Sequence, residues 1–231
     1  MATLEIVKSK LAAMTQAEEY FNALSTNIQL SGTNIKVVAI SSVQPNEGKS
    51  TISTNLATAF ARAGYRTLLI DADIRNSVMT GVFKSQGRVD GLTEVLSGKS
   101  EISQAIATTD YPKLDVLLAG QVSPNPTGLL QSKNFEVILE ALRNHYDYII
   151  VDTPPIGMVI DAAIIAQRCD GSLIVTAAGA VSRKAVQKAK EQLEQTGTPF
   201  LGVVLNKFDI QLEKYGSYGN YGNYGNYGKK R

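Results

Sequence analysis

The 231-residue chain reads as an α/β protein built on a mostly parallel sheet with helices on both faces. Two observations predict this. Short apolar runs at 35–41, 67–70, 114–118, 148–151, 171–176 and 200–205 alternate, for the most part, with stretches of helical periodicity. Polar residues gather where those strands end: Lys49 beyond the first, and Asp71, Asp152 and Asn206 directly after three others, at the edge where such sheets bind ligands.

In chain order, residues 15–30 are expected to form an amphipathic helix outside the sheet, with Ala17, Phe21, Leu24 and Ile28 on one side. The strand at 35–41 then hands over to a loop, 43–50, and a helix whose apolar stripe is Ile52, Leu56, Ala59, Phe60 and Ala63. Gly64 closes that helix. The next strand, Leu68-Leu69-Ile70, runs directly into Asp71-Ala72-Asp73-Ile74-Arg75.

The loop carries the first chemistry. Asn46, Glu47, Gly48, Lys49, Ser50 and Thr51 stand between a strand and a helix, the context that a nucleotide-phosphate site requires. Loop and helix amides there face an anion, and the helix dipole favours its charge. Gly48 lets the backbone approach the phosphates, Lys49 spans the β and γ phosphates, and the Ser50 hydroxyl ligates Mg²⁺. The usual pattern begins with glycine, and this chain has Val43. The expected fold is therefore P-loop NTPase-like, with a nucleoside triphosphate as ligand.

Two strand ends add carboxylates. In D-x-D-x-R, Asp71 is a Mg²⁺-side carboxylate or a base, supported by Asp73; two acids this close repel, and a cation gives a reason to keep them together. The other reading is a polar loop after a buried strand. Tyr148-Ile149-Ile150-Val151-Asp152 is a buried strand ending in an acid, and Asp152 is expected to hold Mg²⁺ directly or through water. Pro155 stands where a Ras-type GTPase has glycine. Asn206-Lys207-Phe208-Asp209 matches the guanine-reading N-K-x-D; Asn206 is placed near the base, and Asp209 leaves guanine specificity open.

The remaining residues exclude more than they propose. With 23 basic and 21 acidic residues, bulk charge suggests no nucleic-acid partner. No apolar run approaches a membrane span, and the amino terminus has no signal-peptide pattern, so a soluble cytosolic protein is expected. Cys169 stands alone, a small buried filler and not part of a thiolate cluster. His145, the only histidine, reads as a helix-end residue. Arg183, Lys184, Lys188 and Lys190 share a helix with the core-facing Val186, Ala189 and Leu193; they form a solvated basic face or a docking site for an acidic or phosphorylated segment.

After Asp209 the composition changes. Tyr215, Tyr218, Tyr221, Tyr224 and Tyr227 recur with period three among glycine, serine and asparagine, and hold five of the ten tyrosines. Glycine opposes a helix and nothing aliphatic is available to bury, so a disordered tail is expected. Three parts follow: a helical segment, 1–34, packed on the core; a nucleotide-binding domain, 35–210; and the tail, 211–231.

With the loop, D-x-D-x-R, Asp152 and the tyrosine tail together, the chain resembles the bacterial protein-tyrosine kinases, most closely the cytoplasmic capsular-polysaccharide kinases of streptococci. The resemblance covers essentially the whole chain. It implies an ATP–Mg²⁺ site formed by Lys49, Ser50, Asp71, Asp73 and Asp152, and phosphorylation of the five tail tyrosines. It also implies self-association, a separately encoded membrane adaptor of the polysaccharide co-polymerase type that recruits the kinase to the inner face of the membrane and activates it, and an opposing tyrosine phosphatase. The related deviant-Walker ATPases carry a second lysine where this chain has Gln44. Two departures stand out: Asn46 where relatives often have glycine, and Asn22 and Ser25 where an amino-terminal E-x-x-R-x-x-R pattern starting at Glu19 would have arginines. An ATPase switch driving membrane-associated assembly, with the tail as linker, and a non-enzymatic nucleotide-binding regulator are the competing readings.

Overall fold

The computed structural model describes residues 2–85, 87 and 89–208; Asp209 and the tyrosine-rich tail lie outside them. The elements run β1 (Thr3–Ile6), α1 (Lys8–Gln16), α2 (Glu18–Leu30), β2 (Val37–Ser42), α3 (Lys49–Arg62), β3 (Thr67–Asp71), a single 3₁₀ turn at Met79–Gly81, and β4 (Phe83–Lys84). They continue α4 (Leu92–Leu96), α5 (Ile102–Ala105), β5 (Ala107–Thr109), β6 (Leu114–Leu117), α6 (Pro126–Gln131), α7 (Lys133–Arg143), β7 (Tyr148–Asp152), α8 (Asp161–Ala166), β8 (Gly171–Ala177), α9 (Arg183–Glu194) and β9 (Phe200–Asn206). The six strands expected from the sequence are present, each displaced by at most two residues at either end.

They form one sheet in the order β4-β1-β5-β6-β3-β7-β2-β8-β9. From β6 to β9 every pairing is parallel; β5 with β6 and β1 with β4 are antiparallel. The chain passes from β2 to β3 over the place that β7 later fills, so the carboxyl ends of β2, β3 and β7 come together. Two apolar layers cover the sheet. On one face Phe21 and Ile28 of α2 and Ile52, Leu56 and Phe60 of α3 pack down. On the other, Phe135, Leu139 and Leu142 of α7, Ile165 of α8 and Leu193 of α9 do so.

Helix α3 shows why a sequence rich in serine and threonine still makes a buried helix. Ser53, Thr54 and Thr58 are buried; the Thr54 and Thr58 hydroxyls donate to the carbonyls four residues back, at 2.7 and 2.9 Å, and Ser53 Oγ lies 3.0 Å from the Lys49 carbonyl. A hydroxyl satisfied this way carries little desolvation cost. Phe60 stacks on Tyr148 with centroids 3.9 Å apart, tying the helix to β7. Gly64, with φ +98°, ends the helix as the sequence predicts.

The amino-terminal segment departs from expectation. It is not wholly helical: Thr3–Ile6 enters the sheet, parallel to β5 and antiparallel to β4. Its alternation of exposed and buried residues spans four positions, too short a signal to separate from noise before its partners are in place. The helix expected over 15–30 is two helices parted at Ala17, and Phe21, Ser25 and Ile28 form the buried side of the second.

Candidate active site

The loop between β2 and α3 is shaped by two left-handed residues, Asn46 (φ 65°) and Gly48 (φ 93°). Asparagine is among the few side chains that tolerate this region, so the loop needs no glycine there. Val43 is not among the left-handed residues; it is buried, and the loop has no need of glycine there. The backbone N–H groups of Gly48, Lys49 and Ser50 find no acceptor among the described residues, and Gly48 gives no side-chain cap. A buried helix start with unsatisfied donors is a ready anion site.

Glu47 does something the sequence reading did not see. Its side chain is buried, accepting from the Gln44 N–H at 2.6 Å, the Thr176 hydroxyl at 3.0 Å and the Ala177 N–H at 3.3 Å. The carboxylate straps the loop to the end of β8, and Glu47 is not among the residues that line the cleft. The far end of the loop is held by β9: Asn206 Nδ2 donates to the Glu47 carbonyl at 2.9 Å and Lys207 Nζ to the Asn46 carbonyl at 2.7 Å. Asn206, expected near the base, has its amide engaged in holding the loop. Asp209, the other half of the guanine-reading match, lies outside the described residues.

Across the loop, β3 and β7 end in register, and Asp71 is paired directly with Asp152. The Asp152 carboxylate accepts from Lys49 Nζ at 3.0 Å, Ser50 Oγ at 2.6 Å and Ser53 Oγ at 2.8 Å. Lys49 also lies 3.7 Å from Asp73. Asp71 is fully buried behind this cluster and accepts a hydrogen bond from Ser77. Burial, and then the neighbouring Asp152, push its pKa up to about 7, against the opposing pull of Ser77 and Lys49. Burial likewise raises Asp73, with Lys49 pulling it back. Carboxylates that hold protons this firmly lack positive charge, and an added cation would lower both.

The donor set is one that Mg²⁺ accepts. Among the described residues no three or more His, Cys, Asp and Glu side chains form a metal-holding group. Mg²⁺ asks for no such cage: one or two carboxylates and a hydroxyl, completed by phosphate and water, suffice. Asp152 and Ser50 present that pair.

Lys49, Ser50, Thr51 and Asp73 line one cleft of about 530 Å³, together with Pro45, Asn46 and Gly48 of the loop and Lys207 at its far rim. Val78, Pro155 and Met158 give the cleft an apolar wall. Arg75 of D-x-D-x-R reaches the same space, anchored from behind. It is hydrogen-bonded to the buried Asp161, and to Thr127 at 2.7 Å, while Thr127 donates to Asp161 at 2.8 Å. Of the residues the sequence reading missed, Ser53 alone left a signal: it stands four positions after Lys49 and hence on the same helical face. Ser77, Thr127 and Asp161 left none, because their partners are distant in the chain. Arg183, Lys184, Lys188 and Lys190 belong to α9, away from this cleft.

A β-strand, a loop with open amides, a lysine, a hydroxyl and a carboxylate closing the neighbouring strand define a P-loop nucleotide-binding protein. The model of the AAA domain matches residues 35–198. The tyrosine-protein kinase CpsD of Streptococcus pneumoniae is 61% identical over 216 residues, covering 94% of this chain and 95% of that one. Among solved structures, the chimeric protein CapA2B2 superimposes with a TM-score of 0.81 at 33% identity, over 90% of this chain and 93% of that one. The kinase domain of the Escherichia coli tyrosine kinase ETK does so with 0.80 at 34% identity, over 88% and 80%. The chain belongs to the family of bacterial P-loop tyrosine-protein kinases.

Proposed function

We propose that the cleft binds ATP with Mg²⁺ and transfers its γ-phosphoryl group to tyrosines of the chain's own carboxyl-terminal repeat, Tyr215, Tyr218, Tyr221, Tyr224 and Tyr227, in the service of capsular or exopolysaccharide synthesis and export. The observation that carries this reading is the position of Lys49, its ammonium 3.0 Å from Asp152 and 3.7 Å from Asp73 at the open end of the loop. In the reaction, the bond between the γ-phosphorus and the β–γ bridging oxygen breaks as the tyrosine oxygen bonds to phosphorus. The loop amides and Lys49 hold and neutralise the phosphates, which is most of what this reaction asks of a protein. Asp73, on the cleft wall, takes the hydroxyl proton; Asp71, closed off from the cleft, supports the charge from behind. Ser50 and Asp152 would hold Mg²⁺ at the cleft, with Asp71 behind Asp152 rather than in direct reach, and the ion would add neutralisation of the phosphate oxygens. Asn46, Gly48, Ser50 and Thr51 contribute backbone and hydroxyl contacts, and Glu47 and Asn206 fix the loop.

The kinase works in the cytoplasm, with residues 1–34 completing the domain 35–210 through strand β1 in the sheet and helix α2 on its face, and with the tail 211–231 as substrate. A separately encoded membrane adaptor recruits it to the inner face of the membrane and activates it; a tyrosine phosphatase reverses the modification, and copies associate to exchange tails. No helix among the described residues is long and apolar enough to cross a membrane, which is compatible with recruitment by a partner. The test is to incubate the full chain with ATP and Mg²⁺ and map phosphotyrosine by mass spectrometry. Phosphate on the tail tyrosines is expected, and its loss in Lys49→Met. ATP hydrolysis without any phosphotyrosine would instead favour the ATPase switch.

A further inference from the structure

Strand β9 breaks the rule that the rest of the parallel sheet obeys. Strands β2, β3 and β8 are buried along their whole lengths. The sequence of β9, Phe-Leu-Gly-Val-Val-Leu, is just as apolar, yet Val203 is 48% and Leu205 54% exposed. With Val181 and Val186 these two side chains line a groove of about 450 Å³ between β9 and α9. Arg183 and Lys190 line it too. Arg183 is exposed and has no ion pair among the described residues. Lys190 lies 3.4 Å from Glu194 and 5.9 Å from the centre of the Phe200 ring. As an edge strand, β9 pairs on one side only, with β8.

The groove therefore offers an apolar floor, an uncommitted guanidinium and an ammonium. A ligand that matches has an apolar body and an anionic head. The chain itself supplies one. Five tyrosines follow directly on the end of β9, and the first, Tyr215, is seven residues beyond Phe208, a reach of roughly 25 Å at full extension. Before modification the repeat has no acidic residue and ends in Lys229, Lys230 and Arg231, so Arg183 and Lys190 repel it. Phosphorylation gives each tyrosine about −1.5 to −2 charges and three strong acceptor oxygens. Charge complementarity appears only then, with the ring free to lie on Val203 and Leu205.

We infer that the α9–β9 groove is a phosphotyrosine-binding site that captures the modified tail, its own or that of a neighbouring copy. The inference rests on the proposed kinase activity only for the source of the phosphate. Capture withdraws a phosphorylated tail from the active-site cleft and leaves that cleft to tyrosines still unmodified. The basic face of α9 would then be a docking site and not merely solvated surface.

The test uses the full chain with its five tail tyrosines replaced by phenylalanine, so that no internal competitor forms. A fluorescent peptide of the repeat, Tyr-Gly-Asn-Tyr-Gly-Asn-Tyr-Gly, is titrated with all its tyrosines phosphorylated or with none, and binding is read by anisotropy. The phosphorylated peptide should bind at least about tenfold more tightly, the size of a charge-assisted hydrogen bond. Arg183→Gln with Lys190→Gln should abolish that preference, and Leu205→Ser should weaken binding of the phosphopeptide with the cations intact; thermal melts check that each variant is folded. Equal binding of the two peptides would overturn the inference and identify β9 as an edge for an unmodified protein strand. Competition by inorganic phosphate as effective as that by free phosphotyrosine would also overturn it, since the apolar floor would then play no part. Because the phosphate is synthetic, neither outcome depends on the chain's own catalysis.

Discussion

The amide nitrogen of Asn206 lies 2.0 Å from the point that a Cβ on Gly48 would occupy, while donating to the neighbouring Glu47 carbonyl at 2.9 Å. A residue from the last strand thus fills the space left by the loop's glycine and grips the loop beside it. Together with Lys207 on Asn46 and Glu47 on β8, this strap presets the curvature that exposes the three open amides. The described residues end at Phe208, two positions past Asn206, so the strap is also the last part of the fold before the tyrosine repeat in the sequence.

Gly48→Ala should therefore fail twice, through the left-handed φ of +93° and through collision with Asn206. The backbone term alone is about 1–2 kcal/mol. We expect the variant to lose most of the thermal stabilisation that ATP confers on the parent protein. Asn206→Ala alone should raise the KM for ATP with a smaller change in kcat, because the strap acts on ground and transition states alike. Combining the two should cost less than the sum of the separate losses, as the collision is relieved. Full additivity in calorimetric melts would show that the contact is not what makes Gly48 necessary.

The Lys49–Asp152 pair predicts a loss of activity and of stability together. Lys49→Met removes a donor aimed at the phosphates, and such losses lower kcat by about 10²–10³. It also leaves a carboxylate that is only 1% exposed without its cation, at a cost of about 3 kcal/mol. Adding Asp152→Asn should recover much of the melting temperature and none of the tyrosine phosphorylation. Failure to recover stability would show that Ser50 and Ser53 alone satisfy Asp152.

Asp71 predicts an unusual pH dependence for the nucleotide-free protein. Its folded pKa is about 7 against an ordinary 3.8, so between these values the folded state holds a proton that the unfolded state has released. Stability from this group is therefore full below pH 4, falls as pH rises, and is gone above about pH 7. Asp71→Asn should flatten the fall in melting temperature between pH 4 and 7. An unchanged profile would show that the carboxylate ionises normally despite its burial.

Exchange of tails between copies gives a fourth prediction. A random coil of roughly 18 residues, the separation of Tyr227 from Asp209, has a mean span of about 23 Å, whereas the few residues that separate Tyr215 from Asp209 give it a much shorter reach toward its own cleft. Delivery to a neighbour serves all five tyrosines in one extended geometry. Lys49→Met protein with an intact tail, mixed with active protein whose tail tyrosines are phenylalanine, should gain phosphotyrosine at a rate that rises with concentration. No transfer at any concentration would leave only the intramolecular route.

The six parallel strands, helix α3 and its glycine stop, and the loop with its lysine and hydroxyl were all legible in the chain. Their signals are local: continuous apolar runs for strands buried on both faces, a 3.6-residue stripe, and a glycine in a left-handed position. Placement of Asp71 and Asp152 at strand ends followed from the same runs. That these two acids face each other was not legible. It depends on β7 being inserted between β2 and β3, which no residue in either strand announces. The same holds for the anchoring of Arg75 by Asp161, 86 positions later, and for the strap on the loop from β8 and β9, 129 to 161 positions away. Strand β1 escaped because four alternating residues carry too little pattern without their partners. The exposure of Val203 and Leu205 was hidden for the opposite reason: a strand's apolar composition declares that its faces can be covered, and only the packing of its neighbours decides whether they are. Sequence by itself determined which segments form elements and which chemical groups stand at their ends. The tertiary structure alone decided which of those groups meet, because a parallel sheet brings together strand ends that the chain visits out of order.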